Sequence, residues 1–280
     1  MRKHSAPFLK TLQNRFNISK RQEVVIVITF LALELLSTQL FLGSLRLDLL
    51  LALSVSAYIL SAIVLRQGLT GWDFLTLLIL PTYFTAAVYV FYFLLPVRWL
   101  TRLPTLAVYA VGMYIILLSE NIYNVASERN IQLFRVAHVG GFVLSLLSML
   151  LLLNTVLSMH LPFYFNVLST LLIVFPLVLQ ALWSMELTQT ISKKVWIGSG
   201  VITLIITEFA FAFSFWPIKT ELEAIFLTTA FYSLVGMTQQ YLIERLFATT
   251  AREYMMWFTI ILILILGITL GYYGWGSSTL

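Results

Sequence analysis

The sequence predicts an all-α fold, a polytopic transmembrane bundle of nine spans, and three observations carry that expectation. The 280 residues are 60% hydrophobic and only 10% charged, with a mean hydropathy of +0.94, whereas a soluble domain carries about 25% charged residues. Lipid is the solvent that suits such a chain, and each run of about 20 apolar residues then becomes one helix whose backbone bonds to itself. The apolar stretches are also continuous rather than alternating, which argues against a transmembrane β-barrel. Finally, the charges sort to alternate ends of the runs.

Residues 1–22 form a basic tail, with Arg2, Lys3, Lys10, Arg15, Lys20 and Arg21 and no acid. No small-residue cleavage site follows a short apolar core, so a cleaved signal peptide is not expected. Phe8, Leu9, Leu12 and Phe16 recur at helical spacing behind Pro7, a pattern for a topogenic tail or a short interfacial helix on anionic lipid. Residues 23–280 are read as a single transmembrane domain. Its spans are predicted at 24–43, 47–65, 73–95, 105–126, 131–153, 162–186, 195–216, 222–247 and 255–273.

An odd number of spans with a cytoplasmic N-terminus puts the C-terminus outside. The inner segments then hold the tail cations plus Arg66, Arg129, Arg135, Lys193, Lys194, Arg245 and Arg252, while the outer loops hold Arg46, Arg98, Arg102 and Lys219. Thirteen basic residues against four is the excess expected of a cytoplasmic face. The seven tryptophans agree: Trp72, Trp183, Trp196 and Trp257 fall near inner ends, Trp99, Trp216 and Trp275 near outer ends, the depth an amphipathic ring favours.

The connections are short, 96–104 and 154–161 being the longest outer loops, so any chemistry belongs inside the bilayer, at its faces or with partners. With no cysteine, disulfides and thiolate sites are excluded. His4, His138 and His160 lack metal-ligand spacing, and no Gly-rich phosphate loop occurs; no metal, cofactor or nucleic acid is expected.

Two acids lie deep in the apolar runs. Glu34 in span one and Glu208 in span seven would each cost roughly 3 kcal/mol at the centre of a helix even on a lenient insertion scale, so such residues face a bundle interior or a wet cavity. They are candidates for a proton, a cation or a ligand-pairing role, or for interhelical packing through Thr38, Gln39 or Thr207. Each is followed 24 residues later by a tyrosine, Tyr58 and Tyr232, and Glu128, Glu186 and Glu244 recur every 58 residues. Parallel hairpin repeats would give this pattern; so would any stack of hairpins.

The most polar interior passage, 119–138, joins spans four and five. Glu120, Asn124 and Glu128 at i, i+4 and i+8 share a helical face, with Asn121 one step round. Arg135 and His138 share a face after the turn, and Gly140 and Gly141 leave room for close approach. An arginine one turn into lipid needs a partner, and the acids of the preceding helix are the expected ones. His138 is the side-chain type that titrates near neutrality. The passage is either the lock of the hairpin or a ligand or proton site.

Pro81 and Pro176 are interior prolines in spans three and six, each freeing a carbonyl four residues earlier, at Leu77 and Leu172. Bends at matched depth would enclose a cavity open to the cytoplasm beside Glu120. Gly267 and Gly271 form GxxxG in span nine, a face for packing within the bundle, with a second copy or with a protein partner.

The run Ser119-Glu120-Asn121, Asn124, Arg129, Gln132-Leu133-Phe134-Arg135, Ala137-His138 and Gly141-Phe142 resembles uncharacterised multi-span membrane proteins of small-genome bacteria. The resemblance implies a bacterial cytoplasmic membrane and no particular activity. Three functions remain open: a transporter of a small solute or ion using buried carboxylates, a structural or assembly subunit, and an intramembrane lipid-modifying enzyme. The enzyme is the least expected, since no Asp-rich magnesium site and no serine with an adjacent base is evident.

Overall fold

The computed structural model describes residues 19–41, 47–66, 73–95, 99–125, 131–187, 190–216 and 218–276. Among them are nine helices and no strand: α1 Lys20–Phe41, α2 Leu47–Leu65, α3 Asp73–Tyr92, α4 Trp99–Val125, α5 Ile131–Ser158, α6 Phe163–Glu186, α7 Lys193–Phe213, α8 Thr220–Leu242 and α9 Ala248–Gly276. Seven of these, all but α1 and α8, are long and apolar enough to cross a membrane. The predicted tail helix at 7–16 and Glu128 lie outside the described residues, as does the side chain of Asn124.

Helix ends depart from the predicted spans where local chemistry extends or halts a helix. The stretch predicted as an outer loop at 96–104 is helical from Trp99, and Pro104 lies inside α4. As the sixth residue of the helix, Pro104 releases the carbonyl of Leu100 four residues earlier. The predicted loop at 154–161 is likewise helical to Ser158, and the chain turns at His160, whose φ is 49°, before Pro162 opens α6. α6 ends when Leu187 takes a left-handed conformation and returns its N–H to Trp183 O, and Ser192 caps α7 by accepting from Val195 N at 3.2 Å. α8 stops at Leu242, five residues before the predicted span end, and Glu244 turns the chain with φ 56°.

The helices form one continuous packing. α1, α2 and α3 pack with α4 on one side, α6, α7 and α8 pack with one another on the other, and α5 touches α3, α4, α6 and α8 between them. Near the start of α1, Lys20 Nζ donates to Val64 O at 3.0 Å and Glu23 pairs with Arg66 at 3.3 Å, pinning α1 to the end of α2. Many hydroxyls donate to a carbonyl four residues earlier, as Thr85 does to Pro81 O and Ser148 to Leu144 O, so these buried side chains are satisfied within their own helices.

A hydrogen bond ties the two helices that carry the prolines. Pro81 is buried in α3 and Pro176 half-buried in α6, and Tyr83 Oη donates to Leu172 O at 2.9 Å. Leu172 carries the carbonyl that Pro176 releases. The bend of α6 is thus satisfied by a hydroxyl from the other proline-containing helix.

Candidate functional site

Toward the ends of α4, α6 and α8 and the start of α5, four helices bring polar side chains to one place. Glu120 lies five residues before the end of α4, and Gln180 six before the end of α6. Both are buried, Glu120 with no exposure at all. Gln180 Nε2 donates to Glu120 Oε1 at 2.9 Å. Glu120 Oε2 and Gln180 Oε1 are buried without a hydrogen-bond partner. Such orphaned oxygens are uncommon in native interiors.

One turn further along, Tyr123 hydrogen-bonds Ser184, and Ser184 Oγ lies 3.4 Å from His138 Nδ1. Gln239 of α8 hydrogen-bonds the same imidazole and donates through Nε2 to Ala181 O at 2.9 Å. Its amide oxygen is therefore the group left to accept from His138. The Ser184 hydroxyl has two acceptors to choose between, since it also lies 2.9 Å from Ala181 O. Donating to Nδ1, it fits a neutral ring; donating to Ala181 O, it fits an imidazolium with both N–H groups engaged. The surroundings accommodate both protonation states of His138 with one hydroxyl rotation.

Aromatic rings hold the histidine on its other sides. Phe134, His138 and Phe142 follow one another at i, i+4 and i+8 along α5, with ring centroids 6.3 Å and 6.4 Å apart. Phe142 continues the column to Phe231 of α8 at 6.2 Å, and Tyr123 closes on Phe134 at 5.8 Å. The glycines make this approach feasible: a Cβ on Gly141 would sit 3.1 Å from Tyr123 Oη, and one on Gly140 3.1 Å from Ile115 Cγ2.

A cavity of about 430 Å³ opens beside the cluster. His138 lines it together with Phe134, Arg135 and Val139 of α5, Met185 of α6, Gln240 of α8, and Ile243 and Arg245 just beyond α8. Arg135 and Arg245 are exposed, and neither forms an ion pair among the described residues. The expected pairing of Arg135 with the acid of the preceding helix is not what the structure shows at Glu120. That carboxyl turns inward to Gln180 while the guanidinium turns out to the cavity wall.

A second polar cluster sits at mid-depth in the N-terminal half. Glu34 is half-buried on α1 and accepts from Ser56 Oγ of α2 at 2.7 Å. It interacts electrostatically with Tyr109 of α4, whose hydroxyl lies 3.1 Å from Thr85 Oγ1 of α3. Tyr109 and Glu120 are eleven residues apart on α4, about 16 Å along the axis, and Met113, Ile116 and Leu117 between them have no exposure.

Glu208 joins neither cluster. It lies exposed on α7 beside exposed Leu204 and Phe211, while Ser199, Thr203, Ile206 and Thr207 form the buried face of that helix. Glu34 and Glu208, alike in sequence context, therefore stand in unlike surroundings. Asn121 is half-buried beside Glu120. A Cβ at Gly267 or Gly271 would meet nothing within 4 Å, so this face of α9 is not used for packing inside the chain.

Gln180, Ser184 and Gln239 complete the site and do not stand out in a reading of acids, bases and spacing. The available signal is the rarity of side-chain amides inside otherwise apolar helices, where each needs an interhelical partner. Among the described residues no group of three or more His, Asp or Glu could hold a metal ion.

Long apolar helices packed around buried polar clusters define an integral membrane protein of the helical class. The chain belongs to the family described as Protein of unknown function (DUF5656), whose model matches residues 25–268. No curated protein and no solved structure matches it.

Proposed function

We propose that this protein is a transporter that moves a small solute or ion through the bundle, using a protonatable relay built from Glu120 and His138. The observation that supports this reading is Glu120 itself: a fully buried carboxyl with one oxygen unpartnered, held by an amide rather than by a cation. A purely structural carboxyl is served best by full satisfaction of its oxygens, whereas a half-satisfied one leaves a place for a proton or a passing polar group. His138 lies in the same cluster with surroundings suited to both its protonation states, and the cavity gives the relay a mouth. The Glu34 cluster offers a second station, with the apolar stretch of α4 as the barrier between them.

In this reading all nine helices cross the membrane, with the N-terminus in the cytoplasm, the C-terminus outside and the cavity facing inward, as the distribution of basic residues favours. The domain is 23–280, and the basic tail at 1–22 rests on anionic lipid of a bacterial cytoplasmic membrane. α1 and α8 cross despite lower hydropathy because their polar residues are turned toward other helices.

Proton movement is the direct test. Full-length protein in liposomes with an entrapped pH-sensitive dye and an imposed potassium diffusion potential should acidify or alkalinise faster than empty liposomes. Glu120→Gln should remove that increment; an increment unchanged by Glu120→Gln and by His138→Gln would overturn the relay. A second reading, an assembly subunit, is favoured by α9, which buries only Ile265 and Thr269 among its described side chains and leaves Gly267 and Gly271 uncovered. Cross-linking between copies through cysteines placed at these glycines, or co-purification of a fixed partner lost on Gly267→Leu, would favour it.

A further inference from the structure

The cavity beside His138 carries information about its ligand that the relay alone does not. Its walls combine two arginines and an imidazole with Phe134, Met185 and Ile243, and no carboxylate is among the described lining residues. The arginines come from different elements, Arg135 one turn into α5 and Arg245 just past α8. Two guanidinium groups with no ion pair among the described residues repel one another across a shared space unless an anion lies between them. Guanidinium forks are suited to planar or tetrahedral oxyanions, which they grip with two donors at once.

Charge and volume narrow the class. Two fixed positive charges match a doubly charged phosphate monoester better than a single carboxylate. A volume of about 430 Å³ exceeds what a phosphoryl group alone would fill, and the apolar walls favour a hydrocarbon body over a purely hydrophilic solute. Gln240 adds an amide for an ester or hydroxyl oxygen near the head.

We infer that this cavity binds a phosphoryl group carried on an apolar body, with Arg135 and Arg245 on the phosphate and Phe134, Met185 and Ile243 around the hydrocarbon. The phosphoryl group reaches it either as a lipid headgroup from the bilayer or as a free phosphorylated amphiphile from the aqueous side. The inference deepens the reading of the cavity as the mouth of the relay and rests on it.

Two probes separate the sources. Phosphatidic acid, against phosphatidylcholine as the neutral-net control, is offered to the full chain in mixed micelles and bound lipid is counted by native mass spectrometry. Phenyl phosphate is titrated calorimetrically into the chain in lipid-free micelles. Each of Arg135→Gln and Arg245→Gln should weaken binding about tenfold, the equivalent of one charge-assisted hydrogen-bonded contact, and the double variant should retain no phosphatidic acid above the phosphatidylcholine background. Both arginines are exposed, so these variants should keep the unfolding temperature of the unaltered protein. Met185→Trp fills the cavity without touching its charge and should also reduce binding. Binding of either probe, lost in the double variant, supports the inference and names the source. Binding indifferent to both arginines, equal retention of phosphatidylcholine, or no binding of either probe overturns it. Glu120→Gln should keep phosphate binding while losing proton movement, so a failed relay and a failed phosphate site give different results.

Discussion

Two polar clusters share helix α4, each drawn from four helices, and they are closed in different ways. In the N-terminal cluster hydroxyls meet oxygens: Ser56 on Glu34 at 2.7 Å and Thr85 with Tyr109 at 3.1 Å. In the cluster around Glu120, amides and an imidazole take part, two buried oxygens have no partner, and a cavity adjoins. A hydroxyl rotates to suit its neighbour and also bonds back to its own helix, so hydroxyl clusters settle easily. An amide presents fixed donors and acceptors and leaves remainders. The first arrangement serves its half-buried acid with a hydroxyl; the second leaves buried oxygens with capacity for a proton or ligand.

That contrast can be broken by mutation. The largest effect is expected from Gln180→Leu, which removes the donor to Glu120 and leaves a buried carboxyl without its partner, costing about 2–3 kcal/mol. Reversible unfolding in mixed micelles measures it; a loss no greater than that of Ser56→Ala would erase the distinction between the clusters. Next is Gly112→Ala. A Cβ there overlaps the ring of Phe84, which is fully buried and stacked on Tyr109 with ring centroids 5.8 Å apart. Overpacking of this kind costs about 1–3 kcal/mol, and the hydroxyl cluster should lose its geometry with it, seen as altered tyrosine fluorescence.

Smaller effects sharpen the picture further. Tyr83→Phe strips the hydroxyl from Leu172 O and should destabilise by about 1 kcal/mol, but should lose that cost when Pro176 is replaced by Ala, because the carbonyl then regains its helical partner. Ser56→Ala should cost about 0.5–1 kcal/mol, with proton movement intact. Glu208→Leu should leave proton movement where it is, since Glu208 is exposed on α7 and belongs to neither cluster. A loss of proton movement in Glu208→Leu would place the functional path on the outer face of α7 instead.

Neighbouring helices α8 and α9 explain why hydropathy read the fold well and the site poorly. α9 is among the most apolar segments and buries only two of its described side chains. α8 falls short of the spanning criterion yet buries Glu223, Phe226, Phe231, Ser233 and Gln239. A lipid-facing helix must be apolar round most of its surface, so α9 reads strongly although it packs little, while α5, packed against four helices, reads just as strongly. In α8 the polar groups that meet inside the bundle, Glu223, Ser233 and Gln239, dilute the signal.

The sequence by itself determined the helical membrane class and placed the nine described helices within a few residues at most ends, because composition sets the class and local apolar runs mark each helix. It also singled out Glu120 and His138, since ionisable groups are conspicuous in apolar runs. Tertiary structure decided their partners. Gln180, Ser184 and Gln239 come from helices up to 119 positions away from Glu120, and no spacing rule within one helix reaches that far. It decided, too, that Glu34 turns toward Ser56 while Glu208 turns outward. Rotation about a helix axis is set by the packing of its neighbours, and a single run of apolar residues, hydrophobic all round, carries no mark of which face will be inside.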